Sequence, residues 1–148
     1  MDLVYVSYNS SKWVESCFRS IICSDFNLKS IHVYVLDNSS TDDTLDKLYH
    51  CKEKYQDALG SFEVIPSDIN YGFGKGNNIA FSQGNSDIVC FFNIDPELRT
   101  DTLARLDESS NPMKMLPCGN CGNFRMSILK FTIRLLWMRN GAAVLRLL

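Results

Sequence analysis

The chain has 148 residues, 45% of them hydrophobic and 22% charged, and a formal net charge of −2. That is enough for one domain with a real core, and the composition is ordinary for a globular protein. No N-terminal stretch has the pattern of a signal peptide, and no uncharged apolar run reaches the roughly 20 residues of a spanning helix. The expectation is therefore a cytoplasmic protein, membrane-associated only through its tail.

Residues 2–7 (DLVYVS) are β-branched and aromatic and read as a strand. SKWVESCFRSII follows with helical spacing, placing Trp13, Val14, Cys17, Phe18, Ile21 and Ile22 on one face, with Ser10 or Ser11 as cap. IHVYVLD (31–37) is a second strand. SSTDDTLDKLYHCKEKY offers cap formers and acids suited to a helix start, with Ser40 or Thr41 as the cap, and then Leu45, Leu48, Tyr49 and Lys52 at helical intervals. SFEVIP (61–66) is a third strand, and GFGKGNNIAFSQG (72–84) reads as a glycine-rich turn running into a short helix that stops at Gly84. DIVCFFN (87–93) is a fourth strand, and RTDTLARL starts another helix with Thr100 as cap.

Four alternations of strand and helix predict an α/β fold with a mostly parallel sheet and flanking helices. Right-handed crossovers bring every strand's C-terminal end to one edge, where such sheets bind ligands. The residues gathered there are Ser7-Tyr8-Asn9, Asp37-Asn38-Ser39-Ser40, Asp68-Ile69-Asn70 and Asn93-Ile94-Asp95.

Residues 1–108 differ in character from the remaining forty. All 17 acids lie at or before Glu108, whereas 109–148 carries six bases (Lys114, Arg125, Lys130, Arg134, Arg139, Arg146) and no acid. This tail is apolar and basic together, shows no clean strand–helix period, and points to an anionic partner or to a segment outside the fold. Read as an interfacial helix, 126–148 has membrane-surface composition, but Leu135-Leu136-Trp137-Met138 runs around the helix. The six cysteines read as reduced thiols, and Cys118-Gly-Asn-Cys121 is a lone CxxC, short of a zinc site.

On the rim, Gly72-Phe73-Gly74-Lys75-Gly76 exposes backbone N–H groups at a helix start, which suits phosphate, or is only a tight turn. It lacks the Gly-Lys-Ser/Thr ending of a Walker loop, and a dinucleotide fingerprint belongs after strand one, where this chain has SYNSSK. Asp37 offers acceptors to a base or ribose, or caps a helix; with Ser40 or Thr41 as cap, Asp37 and Asn38 have no structural task. Asn93 and Asp95, two apart, face one side in an extended segment. They are either hard oxygen ligands for a divalent cation (Mg²⁺ or Mn²⁺) completed by a diphosphate, or an Asx-turn before Pro96.

Together, VYVSYNS, VYVLDNSSTDDT, NYGFGKGNN and FFNIDPELRTDTL resemble the family 2 glycosyltransferases with a GT-A (Rossmann-like) fold, in particular their rhamnosyltransferase-like branch, over residues 1–106. The resemblance implies a nucleotide-diphosphate sugar donor (UDP- or dTDP-linked), a glycan acceptor, and an inverting, metal-assisted transfer, with no nucleic-acid partner. It implies that Tyr8 and Asn9 line the base, that Asp37 holds the base or ribose with Ser39 beside it, and that Asn70, Gly72 and Asn78 shape the pocket near the diphosphate. It makes Asp95 the metal-contacting carboxylate and Asn93 its weaker partner; Ile94 stands where the branch often has proline. The family's acidic base has no counterpart in 109–148, so 1–108 is expected to be a donor-binding half, the sheet incomplete at the C-terminal side and the reading truncated or frameshifted. The alternative is a degenerate, non-catalytic relative that docks a partner or membrane. A nucleotidyltransferase is a weaker reading, because its basic glycine loop belongs after strand one.

Overall fold

The computed structural model describes residues 1–110 in full and 127–128, 131–137 and 144–147 as backbone strands. Four strand–helix units lie in the expected order: β1 (Asp2–Ser7), α1 (Ser11–Ile22), β2 (His32–Asp37), α2 (Thr44–Tyr55), β3 (Ser61–Pro66), α3 (Gly72–Phe81), β4 (Val89–Phe92) and α4 (Thr102–Ser110). Three further strands complete the sheet: β5 (Ser127–Ile128), β6 (Phe131–Trp137) and β7 (Val144–Leu147).

The sheet order is β3-β2-β1-β4-β7-β6-β5. β1 lies between β2 and β4, parallel to both, and β3 is parallel to β2. The chain thus steps outward from β1 to β3 and then returns across β1 to lay down β4. With right-handed crossovers, that reversal sends α1 and α2 to one face of the sheet and α3 to the other. The packing agrees. Leu3, Tyr5, Val33, Val35 and Phe62 bury with Val14, Phe18 and Ile21 of α1 and Leu48 and Cys51 of α2. The alternate residues Val4, Tyr34 and Leu36 bury with Ala80 of α3. Each large apolar side chain buried this way contributes roughly 1.5–3 kcal/mol of transfer free energy.

The glycine-rich segment is helix from Gly72 onward, not a turn leading into one. One of its glycines serves the packing of α3 on the sheet: a Cβ at Gly76 would stand 3.0 Å from Leu36 Cδ2 and 3.1 Å from Val6 Cγ2. Close helix–sheet approach outweighs the poor helix propensity of glycine. α4 begins at Thr102, two residues past the expected cap. Thr100 instead offers its carbonyl to Asp25 N–H at 2.9 Å, fastening the loop after α1.

The outer edge of β4, on the side where the sheet is expected to be incomplete, is taken by β7, which runs parallel to it through Val89↔Val144 and Cys90↔Leu145. β6 pairs antiparallel with β7, and β5 with β6. Phe131–Trp137 and Val144–Leu147 are therefore strands rather than parts of an interfacial helix. Ser127–Ile128 is strand as well; the rest of that segment, and Cys118 and Cys121, lie outside the described residues. Among the described residues no helix is long and apolar enough to cross a membrane.

Candidate functional site

The reversal between β1 and β4 is a topological switch point. α1 and α3 lie on opposite faces of the sheet, and the crevice at the strand ends between them is where open α/β sheets take ligands. A cleft of about 490 Å³ opens there. Its floor is Tyr8, Asn9 and Ser10 after β1 and Asn93, Ile94 and Asp95 after β4; its walls are Trp13 of α1, Asn38 after β2, and Asn70, Gly72 and Phe73 at the head of α3.

Six of the nine residues anticipated from the sequence meet in this cleft: Tyr8, Asn9, Asn70, Gly72, Asn93 and Asp95. Asn9 has a left-handed backbone, φ 46°, which asparagine tolerates. Its side-chain oxygen accepts Thr41 N–H at 2.8 Å, and its own N–H donates to Ser40 Oγ at 3.0 Å. The turns after β1 and β2 are thereby tied together. Past β4 the chain alternates: Ile94 is 6% exposed and joins the core, while Asn93 and Asp95 are exposed on the cleft side. The two-residue spacing gives the shared face expected of it.

Asp37, Ser39 and Asn78 are not in the cleft wall. Asp37 is 2% exposed and accepts three hydrogen bonds, from Ser7 Oγ at 3.1 Å, Ser40 N at 3.0 Å and Ser40 Oγ at 2.6 Å. The premise that Ser40 or Thr41 caps the helix and leaves Asp37 idle is corrected: α2 starts later, at Thr44, and Asp37 closes the turn that precedes it. Ser39 has φ 65° and donates to the Asp68 carbonyl at 3.3 Å. Asn78 is exposed along α3, away from its first turn.

Six cleft residues escaped assignment to the site: Val6, Ser10 and Ile94, and three whose side chains shape it. Trp13, expected on the buried face of α1, is 38% exposed and stands at the cleft. Phe73 is also exposed there, on the opposite face of the sheet. Asn38 is the third. It is 3% exposed, its Nδ2 donates to Asn70 Oδ1 at 2.7 Å, and its Oδ1 accepts Tyr71 N–H at 2.8 Å. Asn38, not its neighbour Asp37, lines the cleft.

Among the described residues that line the cleft, Asp95 is the one charged residue, and none is Lys or Arg. Lys12 and Lys75 rest over the rings of Trp13 and Tyr71, each 4.2 Å from the centroid. Asp95 and Asn93 form no hydrogen bond or ion pair with another described residue, so their oxygens are available. Among the described residues no group of three or more His, Cys, Asp or Glu is placed to cage a metal. A carboxylate with an amide oxygen fits a hard divalent cation whose remaining ligands come from water and a bound diphosphate.

The family model for glycosyl transferase family 2 matches residues 2–128. Poly(ribitol-phosphate) β-N-acetylglucosaminyltransferase TarS of Staphylococcus aureus is 31% identical over 103 residues, 69% of this chain and 17% of that protein. Poly(ribitol-phosphate) β-glucosyltransferase of Bacillus spizizenii is 26% identical over 106 residues, 71% of this chain and 16% of that protein. This chain thus spans about a sixth of the length of these relatives. The crystal structure of S. aureus TarS 1–349 in complex with UDP superposes with a TM-score of 0.64 at 30% identity, over 72% of this chain and 30% of that one. A mannosyltransferase from Pyrobaculum calidifontis, in complex with GDP-Man and Mn²⁺, shares the fold with a TM-score of 0.65 at 23% identity, over 70% of this chain and 30% of that one. A family match across most of the chain, carried by a mostly parallel sheet with its cleft at the β1/β4 reversal, makes this chain a member of glycosyl transferase family 2.

Proposed function

We infer that residues 1–108 form the donor-binding half of an enzyme that transfers a sugar from a UDP-sugar to a hydroxyl of a glycan or polyol-phosphate polymer. The observation that carries this reading is the convergence of Tyr8, Asn9, Asn70, Asn93 and Asp95 on one cleft at the switch point. The base choice rests on TarS, which has been crystallised with UDP and with UDP-GlcNAc. The rhamnosyltransferase-like motif Asn93-Ile94-Asp95 concerns the metal turn and leaves the sugar itself open.

The donor's parts divide among different residues. Tyr8 and Trp13 give exposed ring faces for a flat base. The N–H groups at the start of α3 and the amide of Asn70 face a diphosphate. Asp95, with Asn93, would hold a Mg²⁺ or Mn²⁺ ion, which when bound neutralises the charge growing on the departing diphosphate. Transfer with inversion needs a base on the acceptor hydroxyl. Asp95 is the sole carboxylate among the described residues that line the cleft, and 109–148 carries no acid, so we assign that base to no residue of this chain. The same observation favours a second reading, a donor-binding relative without turnover.

Calorimetric titration with UDP tests the proposal. Binding should require Mn²⁺ or Mg²⁺, be lost with a chelator, and weaken sharply in Asp95→Ala. Absence of binding, or binding indifferent to Asp95, overturns it. Release of free UDP from a UDP-sugar in the presence of an acceptor separates the enzyme from the inactive relative.

A further inference from the structure

Two carboxamides at the cleft wall have their orientations fixed by backbone groups that can only donate. Tyr71 N–H points at one side-chain atom of Asn38 at 2.8 Å, and that atom must be oxygen. The other atom of Asn38 is then nitrogen, and it donates to Asn70 at 2.7 Å. Gly72 N–H points at the same Asn70 atom at 2.8 Å, which is therefore oxygen as well. Both donors converge on Asn70 Oδ1, and Asn38 is buried at 3% exposure and held also by its own N–H to the Ser7 carbonyl at 2.8 Å.

What is left over is the Asn70 Nδ2 group. It makes no hydrogen bond with another described residue, and Asn70 is exposed at the cleft. A group with two N–H donors and no acceptor suits a ligand oxygen.

We propose that Asn38 is a positioning residue for the donor cleft: it turns Asn70 so that an amide N–H, never the carbonyl, faces the ligand, and it holds Tyr71 and Gly72 at the head of α3. Resting on the donor-binding reading above, this assigns Asn70 a partner of stated chemistry, an acceptor oxygen of the nucleotide diphosphate.

The test uses the full chain, with backbone amide shifts of Tyr71 and Gly72 read without ligand and UDP affinity read with Mg²⁺. Asn38→Ala should move the Tyr71 amide proton upfield, because its acceptor is gone. Asn70→Ala should move Gly72 upfield and leave Tyr71 in place. Asn70→Asp keeps an acceptor for Asn38 and Gly72, so both amides should stay near their native shifts. It offers the ligand only acceptors and a negative charge, so UDP affinity should fall about tenfold or more. Amides that do not respond to either alanine substitution overturn the pair. Native UDP affinity in Asn70→Asp overturns the donor orientation. Amides that respond as expected in a native chain without UDP affinity uphold the pair, and overturn both the donor-binding reading and the ligand assigned to Asn70.

Discussion

The Asp37 carboxylate accepts the Ser40 hydroxyl at 2.6 Å and the Ser40 N–H at 3.0 Å, closing a four-residue turn at the end of β2. Ser7 Oγ reaches the same carboxylate from β1 at 3.1 Å. An acid that caps a turn and bridges two parallel strands is part of the frame on which the cleft is built. Asp37→Ala would leave the Ser40 N–H short of an acceptor and the Ser7 hydroxyl with only the Leu36 carbonyl at 3.3 Å, at a cost of about 1–3 kcal/mol. The expected outcome is a lower urea midpoint with an unchanged m-value. UDP affinity, measured well below the unfolding transition, should change less than in Asp95→Ala.

Asp95 is the converse case. It is exposed and has no hydrogen-bonding or ionic partner among the described residues, so its removal costs the fold little. Asp95→Asn should leave the melting temperature within about a degree or two, as surface substitutions do. It should also reduce the difference between UDP affinity with Mn²⁺ and with chelator. An equal metal dependence in the variant would place the cation elsewhere.

Much of this frame is legible from sequence because the strands are continuous apolar runs and helical spacing between them is clear, as in Val14, Cys17, Phe18 and Ile21. The cleft was half legible. Asn93 and Asp95 could be placed because a buried Ile94 stands between them and strand parity does the rest. Asp37 and Asn38 could not be told apart, because β2 is buried on both faces and its apolar run gives no alternation to count. The helical state of Gly72–Gly76 was hidden for a different reason. Local propensity argues against a helix there, and the close approach that leaves no room for a side chain at Gly76 is to Leu36 and Val6, far along the chain.

Gly84 shows how a glycine can be required by a neighbour. A Cβ at this position would overlap the Asp2 carboxylate, which is buried and accepts Ser86 N–H at 3.0 Å. Gly84→Ala must displace that carboxylate from its bonds or shift the turn into β4. Overpacking of this kind costs about 1–3 kcal/mol. The expected result is a drop in melting temperature without change in UDP stoichiometry.

The thiols give a prediction in pH. Burial pushes Cys17 and Cys90 each up to about 12 and Cys51 up to about 11, all from an ordinary 9.0. Burial also raises the Tyr5 hydroxyl, which lies beside the Cys17 thiol. Below pH 9 these groups are protonated whether the chain is folded or not, so they make stability no function of pH there. Above it the unfolded chain loses protons that the folded chain retains. Fewer protons bound in the unfolded state means that unfolding free energy falls as pH rises, from about pH 9 until the folded thiols themselves ionise near 11 to 12. Urea titrations at stepped alkaline pH should therefore show a progressive loss of stability. At neutral pH a thiol reagent, read by peptide mapping, should modify exposed Cys23 and spare Cys17, Cys51 and Cys90 until denaturant is added. Rapid native labelling of Cys17 or Cys90 would mean that the core between α1, β1 and β4 opens, and the cleft above it could not then be a preformed one.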